Sequence, residues 1–384
     1  MLESGLDRSQ LEARGALWTA REILQQPLML RRTHELLESR AGEIRDFLQP
    51  LLRRDDLRVM LSGAGTSAFI GDCLAPYLDG RLRRRCDAVA TTDIVASPAA
   101  CLSRRAPLLL VSFGRSGSSP ESVAAFELAE QLADVHHLVV TCNPSGDLAR
   151  RARASRNALL LLLPEETHDR SFAMTSSFTS MTYAALNALR GPQSAQATLD
   201  AIVSATEHAL EREAARMREL ALAGSERVVY LGSHVLRGLA CEAALKLLEL
   251  TDGGCVAIHD TPLGFRHGPK TIVNDRTLVL VFVSNDPCTR RYDLDLVAEL
   301  GRDSVAERIV AVTAQHMEDL TGVEVVRIPQ LAAAEDVDLV FPYVALAQTL
   351  AFHASLARGL SPDSPNLAGT VNRVVQGVRI HAFG

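Results

Sequence analysis

The chain has 384 residues, 47% of them hydrophobic and 22% charged, which suits two domains with sizeable cores and excludes a disordered protein. A net charge of -6 argues against nucleic acid or an anionic membrane surface as a partner, and the clusters Arg81, Arg83, Arg84, Arg85 and Arg150, Arg151, Arg153, Arg156 read as solvated faces. Seven cysteines, odd in number and with no C-x-x-C pair, speak against a disulfide framework or a zinc site and fit a reducing, cytoplasmic compartment.

The first residues are acidic and show no apolar leader, so no signal peptide is expected. Amphipathic helices are predicted over 11–24 and 33–48. A strand at 57–61 runs into Ser62-Gly63-Ala64-Gly65-Thr66-Ser67 and a helix. A second strand, 108–111, runs into Ser112-Phe113-Gly114-Arg115-Ser116-Gly117-Ser118-Ser119-Pro120-Glu121 and another helix. Further strands are predicted at 138–141 and 158–163. The apolar runs 158–163 and 278–283, the longest, are too short to span a bilayer and suit buried strands. The pattern then restarts: Arg227-Val228-Val229-Tyr230-Leu231-Gly232-Ser233 resembles 58–63, and strands follow at 277–283, 308–312 and 324–328. Short apolar strands alternating with helices give parallel sheets covered on both faces, here as two tandem α/β units. Internal duplication is expected.

Gly63, Gly65, Gly114 and Gly117 let backbone N–H groups turn inward at two helix N-termini, where Thr66, Ser67, Ser116, Ser118 and Ser119 add neutral donors and Arg115 adds charge. Such residues also cap helices, so either loop alone says little. Two of them on neighbouring strands point to one crevice for a phosphate dianion. The P-loop lysine is missing, and so is the G-x-G-x-x-G pattern, which disfavours nucleoside triphosphates and dinucleotides. Glu165-Glu166-Thr167-His168-Asp169-Arg170, followed by Thr175 and Ser176, also ends a strand. Its consecutive spacing offers no preset metal face, so sugar hydroxyl contacts or a subunit contact are expected there.

The helix 241–250 is apolar nearly all round except for Glu242, Lys246 and Glu249, which share one face. A Glu-to-Lys pair four apart is also ordinary surface decoration, but the leucines and alanines around this one leave little polar surface. Buried charges are costly unless paired or used. Downstream lies Gly264-Phe265-Arg266-His267-Gly268-Pro269-Lys270, a glycine-bracketed loop. A carboxylate and a histidine are the usual parts for moving protons between carbon and oxygen.

The tandem units, Gly-Ala-Gly-Thr-Ser, Ser-Gly-Ser-Ser-Pro-Glu, the Glu-Ala-Ala-Leu-Lys-Leu-Leu-Glu helix and Arg-His-Gly-Pro resemble the double sugar-isomerase (SIS) domain, the isomerase half of glutamine–fructose-6-phosphate aminotransferase. The three stretches 166–170, 265–270 and Thr370-Val371-Asn372-Arg373-Val374-Val375-Gln376-Gly377 resemble more closely the bacterial galactosamine-6-phosphate deaminase/isomerase family, also known as tagatose-6-phosphate ketose/aldose isomerases. The resemblance implies two parallel-sheet SIS domains of flavodoxin-like three-layer αβα type. These are expected at 46–200 and 201–384, after an N-terminal helical segment at 1–45.

It also implies roles. Gly65, Thr66, Ser67, Arg115, Ser116, Ser118 and Ser119 would hold the sugar phosphate. Glu249 would move a proton between C1 and C2, Lys246 would steady the charge at O1, and His267 would open the ring from a neighbouring subunit. Glu166, His168, Thr175, Ser176 and Glu242 would line the pocket. The partner would be a small sugar phosphate, the assembly a homodimer or higher homo-oligomer with shared sites. No metal, nicotinamide or pyridoxal cofactor is expected. Two departures from the aminotransferase stand out. The chain begins Met1-Leu2-Glu3 with no glutaminase domain, so glutamine is not the expected nitrogen source. Gly369 stands where the aminotransferase carries its Schiff-base lysine, which suits a substrate bringing its own amine.

Overall fold

The computed structural model describes residues 5–102, 106–191, 196–366, 368–375 and 377–382. Met1, Leu2 and Glu3, together with Gln376 of the C-terminal motif, lie outside these. Two compact units form. The first comprises Leu28–Asp169, Ser176–Leu199 and Ala368–Gly384; the second comprises Met1–Pro27, Arg170–Thr175 and Asp200–Leu367.

The first unit holds β1 (Arg58–Ser62), β2 (Arg85–Ala88), β3 (Leu108–Gly114), β4 (Val135–Thr141) and β5 (Ala158–Leu162). They form one parallel sheet in the order β2-β1-β3-β4-β5. The second unit holds β6 (Arg227–Gly232), β7 (Val256–Asp260), β8 (Thr277–Phe282), β9 (Arg308–Thr313) and β10 (Glu324–Arg327), in the order β10-β9-β8-β6-β7. Counted within its own unit, each sheet therefore runs 2-1-3-4-5, the flavodoxin-like order with its switch point between the first and third strands. β3 and β8 are buried along their whole length, so their apolar runs need no alternation. The first strand–helix turn also repeats. Gly65 (φ +56°, ψ −129°) precedes the Thr66–Leu82 helix, and His234 (φ +54°, ψ −120°) precedes the Val235–Leu250 helix.

Two strands were not predicted, β2 and β7. Both are edge strands, and Arg-Cys-Asp-Ala and Val-Ala-Ile-His-Asp lack the apolar run of a central strand. One helix was not predicted either. Asp336–Ala357 is long and apolar enough to cross a membrane by length and composition, although its Pro342, Gln348, Thr349 and His353 break any simple apolar run. Its apolar window is 94% buried inside the protein, which makes it a core helix. Within the second unit, Ala345 and Phe352 pack with Leu11, Ala16, Ala20 and Ile23 of the N-terminal helices. Thr19 N–H and Oγ1–H both donate to Asp363 (2.7 Å each), which ties the start of Leu17–Leu24 to the chain after the core helix.

Asp293 is fully buried, and burial pushes its carboxyl up to about 6. Its native state therefore holds a proton that the unfolded chain releases nearer pH 4. The resulting stability falls as pH rises from about 4 to about 6, by on the order of 2–3 kcal/mol. Asp293→Asn should flatten that slope in denaturant titrations run across the interval; an unchanged slope would place its origin elsewhere.

Candidate active site

In the first unit the carboxyl ends of β1 and β3 lie side by side, with Ser62 in register with Ser112. A Cβ on Gly63 would stand 2.5 Å from the Ser67 carbonyl group, so only glycine lets β1 turn this tightly into its helix. The turn buries Thr66 and Ser67 in the first helical turn, and Thr66 Oγ1 is buried with no hydrogen-bond partner among the described residues. The loop after β3 is held by Thr141, whose Oγ1–H donates to Gly114 O (2.6 Å), and by Asn143, whose Nδ2–H donates to Ser116 O (2.9 Å). Gly117 sits at φ +61° with its Cβ position 3.0 Å from Thr141 Oγ1. Two N-termini, a hydroxyl wanting a partner and a loop fixed from behind make an anion cradle at the switch point.

The predicted donors in that loop are not equivalent. Among the described residues, Ser116 Oγ accepts a long bond from Ser118 N–H (3.4 Å). Ser118 Oγ accepts from Asp147 N–H (3.1 Å) and so caps the Asp147–Ala154 helix. Ser119 Oγ–H donates to Ser122 Oγ (2.6 Å). Arg115 is buried and donates to the Arg373 carbonyl (2.8 Å). Among the pocket candidates, Glu166 is exposed and paired with Arg32. Ser176 donates to the buried Asp169 carboxylate (2.5 Å), which also accepts from Ser177 N–H (2.9 Å) and Oγ–H (2.6 Å) and so caps the Ser176–Arg190 helix. His168 is half-buried. Desolvation first, then the guanidinium charges of Arg373 and Arg115, holds its imidazole below the usual histidine range and therefore neutral near pH 7. Thr175 is buried and belongs to the second unit.

The second unit has the same switch point, but its own carboxylates fill it. Asp293 accepts from Ser233 Oγ–H (2.6 Å) and Ser284 N–H (3.0 Å). Asp336 accepts from Ser284 Oγ–H (2.5 Å) and Asn285 N–H (2.7 Å). Donors that could greet a phosphate are already satisfied by anions of the chain itself.

What the second unit offers is the Val235–Leu250 helix. Glu242 and Lys246 are fully buried, while Glu249 keeps 24% of its side chain exposed. Lys246 Nζ pairs with Glu249 and lies 3.7 Å from Glu242 Oε1. The charged face predicted from spacing is thus a linear array, with a buried carboxylate, a buried ammonium, and a carboxylate open to solvent. Such an array holds Glu249 beside a buried cation, an arrangement suited to proton transfer. His267 is exposed. Its neighbours are tied down, Arg266 to Glu299 (2.8 Å) and Lys270 to Glu299 and Asp303, so the loop presents the imidazole from a fixed base.

A family model for the SIS domain matches residues 51–189. D-Galactosamine-6-phosphate deaminase AgaS of Escherichia coli is 47% identical over 369 residues, covering 95% of this chain and 96% of that protein. The crystal structure of tagatose-6-phosphate ketose/aldose isomerase from Escherichia coli superposes with a TM-score of 0.86 at 43% identity, over 95% of this chain and 96% of that one. The chain belongs to the galactosamine-6-phosphate deaminase family. A solved structure from Clostridium novyi matches at TM-score 0.94 with 38% identity, over 99% of this chain and 98% of that one. The two α/β units are therefore the tandem SIS domains of this family.

Sequence reasoning passed over two residues here. Arg373 lies in the C-terminal motif quoted above, yet nothing in its spacing tied it to Arg115. Asp169 was read within the polar cluster 165–170, whereas its carboxylate organises a helix start.

Proposed function

We propose that this member of the galactosamine-6-phosphate deaminase family converts D-galactosamine-6-phosphate to tagatose-6-phosphate and ammonia in the cytoplasm, as part of amino-sugar breakdown. The observation that carries the reading is the Glu242–Lys246–Glu249 array, a buried ion pair that steadies one accessible carboxylate. The anion cradle of the first unit takes the role of phosphate holder, with Thr66, Ser67, Ser116 and Ser119 as donors. His267 transfers the proton from O1 to O5 that opens the pyranose. It acts on a substrate bound by a partner subunit, which makes the working form a homo-oligomer.

Glu249 then removes the C2 proton of the open-chain aldehyde, giving an enolamine whose O1 charge is steadied by the Lys246 ammonium. Return of that proton to C1, with O1 taking up a proton and the nitrogen giving one up, leaves a primary alcohol at C1 and an imine at C2. Water adds to the imine and ammonia leaves, so the nitrogen released is the substrate's own. The proton shuttle equally suits a neutral aldose–ketose pair, and the name of the tagatose-6-phosphate isomerase relative favours that second reading. Ammonia release separates the two. Purified protein given galactosamine-6-phosphate, glucosamine-6-phosphate and tagatose-6-phosphate in parallel should release ammonia from the galacto sugar. Interconversion of neutral sugars with no ammonia from either amino sugar would replace the proposal with simple isomerisation.

A further inference from the structure

Three segments far apart in sequence meet in the first unit, and Arg373 joins them. Its guanidinium donates to the carbonyl oxygen of Asp169. Its own carbonyl accepts from Arg115 Nη2 at 2.8 Å. Asp169 is a firm anchor, since its carboxylate is fully buried and holds Ser176 and Ser177 at a helix start. Arg115 is only 6% exposed and is followed directly by Ser116 of the cradle. The loop it belongs to contains Gly114 and Gly117, whose conformational freedom must be removed before backbone N–H groups can point at one anion.

His168 lies between these anchors in sequence and in charge. Its Nε2 is buried with no hydrogen-bond partner among the described residues.

We infer that Arg373 is a positioning residue for the anion cradle: by clamping the C-terminal segment onto Asp169 it brings up the carbonyl that fixes Arg115, and through Arg115 it sets the Ser116–Ser119 loop for the sugar phosphate. This gives the Thr370–Gly377 motif a task, and it rests on the reading of the cradle as the phosphate site. Arginine suits the role because its planar fork holds a carbonyl in a fixed direction, which a lysine does less well.

The test uses the full chain with Arg373→Ala, Arg373→Lys and Ser116→Ala. Each is measured for steady-state kinetics on galactosamine-6-phosphate, for calorimetric affinity toward inorganic phosphate, and for thermal midpoint. Loss of one charge-assisted contact should weaken phosphate binding and raise KM by about tenfold in Arg373→Ala, with kcat and the midpoint little changed. Arg373→Lys should recover part of the loss. Unchanged KM and phosphate affinity in Arg373→Ala, while Ser116→Ala raises KM and weakens phosphate binding, would overturn the inference and leave the cradle standing. A loss in Arg373→Ala that only tracks a fallen midpoint, with Arg373→Lys no better, would overturn it as well. If Ser116→Ala also leaves phosphate binding intact, the cradle reading falls and takes this inference with it.

Discussion

Glu249→Gln should lower kcat by about 10²–10⁴ while leaving KM close to that of the parent protein. The substitution is nearly isosteric and keeps an oxygen that can accept from the Lys246 ammonium. Lys246 also retains Glu242 at 3.7 Å. The proposed phosphate donors are a different set of residues, so ground-state affinity has no reason to change. What disappears is the proposed base for the C2 proton, an interaction used only on the way to the transition state. Steady-state kinetics with ammonia detection gives both constants from one titration. A variant with near-parental kcat would remove Glu249 from the mechanism. One with unchanged kcat and a raised KM would make it a binding residue.

The second large effect is on stability. Lys246→Met should destabilise the protein by about 3–5 kcal/mol, because it strips a fully buried carboxylate of its cation. Methionine fits the aliphatic path of the lysine stem, so little of the loss should come from packing. The double variant Lys246→Met with Glu242→Gln should regain much of the deficit, since the buried charge then goes with its partner. Denaturant unfolding of the parent, both single variants (Lys246→Met and Glu242→Gln) and the double variant closes the cycle. A Lys246→Met variant as stable as the parent would mean that Glu242 draws its compensation from other groups. Activity should fall in Lys246→Met and in the double variant whatever the stability, because the cation beside Glu249 is gone.

The central strands were legible because their signal is a continuous apolar run: β3 and β8 are buried along their length and were placed within a few residues. β2 and β7 were not, because an edge strand paired on one side tolerates Arg85, Asp87 and His259. The Asp336–Ala357 helix escaped for a related reason. Its polar residues are buried by packing that no periodicity reveals. At the site, the spacing of Glu242, Lys246 and Glu249 was enough to put them on one face, since helix geometry alone decides that. The serine-rich loop was harder. Ser116 and Ser118 look alike in sequence, yet Ser118 caps a neighbouring helix through a bond across 29 positions. Arg373 depends on contacts with Asp169 and Arg115 across more than 200 positions, a separation at which composition and local pattern carry no information.

The most direct measurement follows the fate of the C2 hydrogen. Galactosamine-6-phosphate deuterated at C2 would be turned over by the purified protein, with ammonia quantified and the ketose examined by NMR. The expected result is one ammonia per ketose formed, a slower reaction than with the protonated sugar, and tagatose-6-phosphate carrying deuterium at C1 to the extent that Glu249 does not exchange it with water. Ammonia released at full rate together with an aldose that still carries the label at C2, in place of the ketose, would contradict it, since nitrogen would then leave without the proposed proton shuttle.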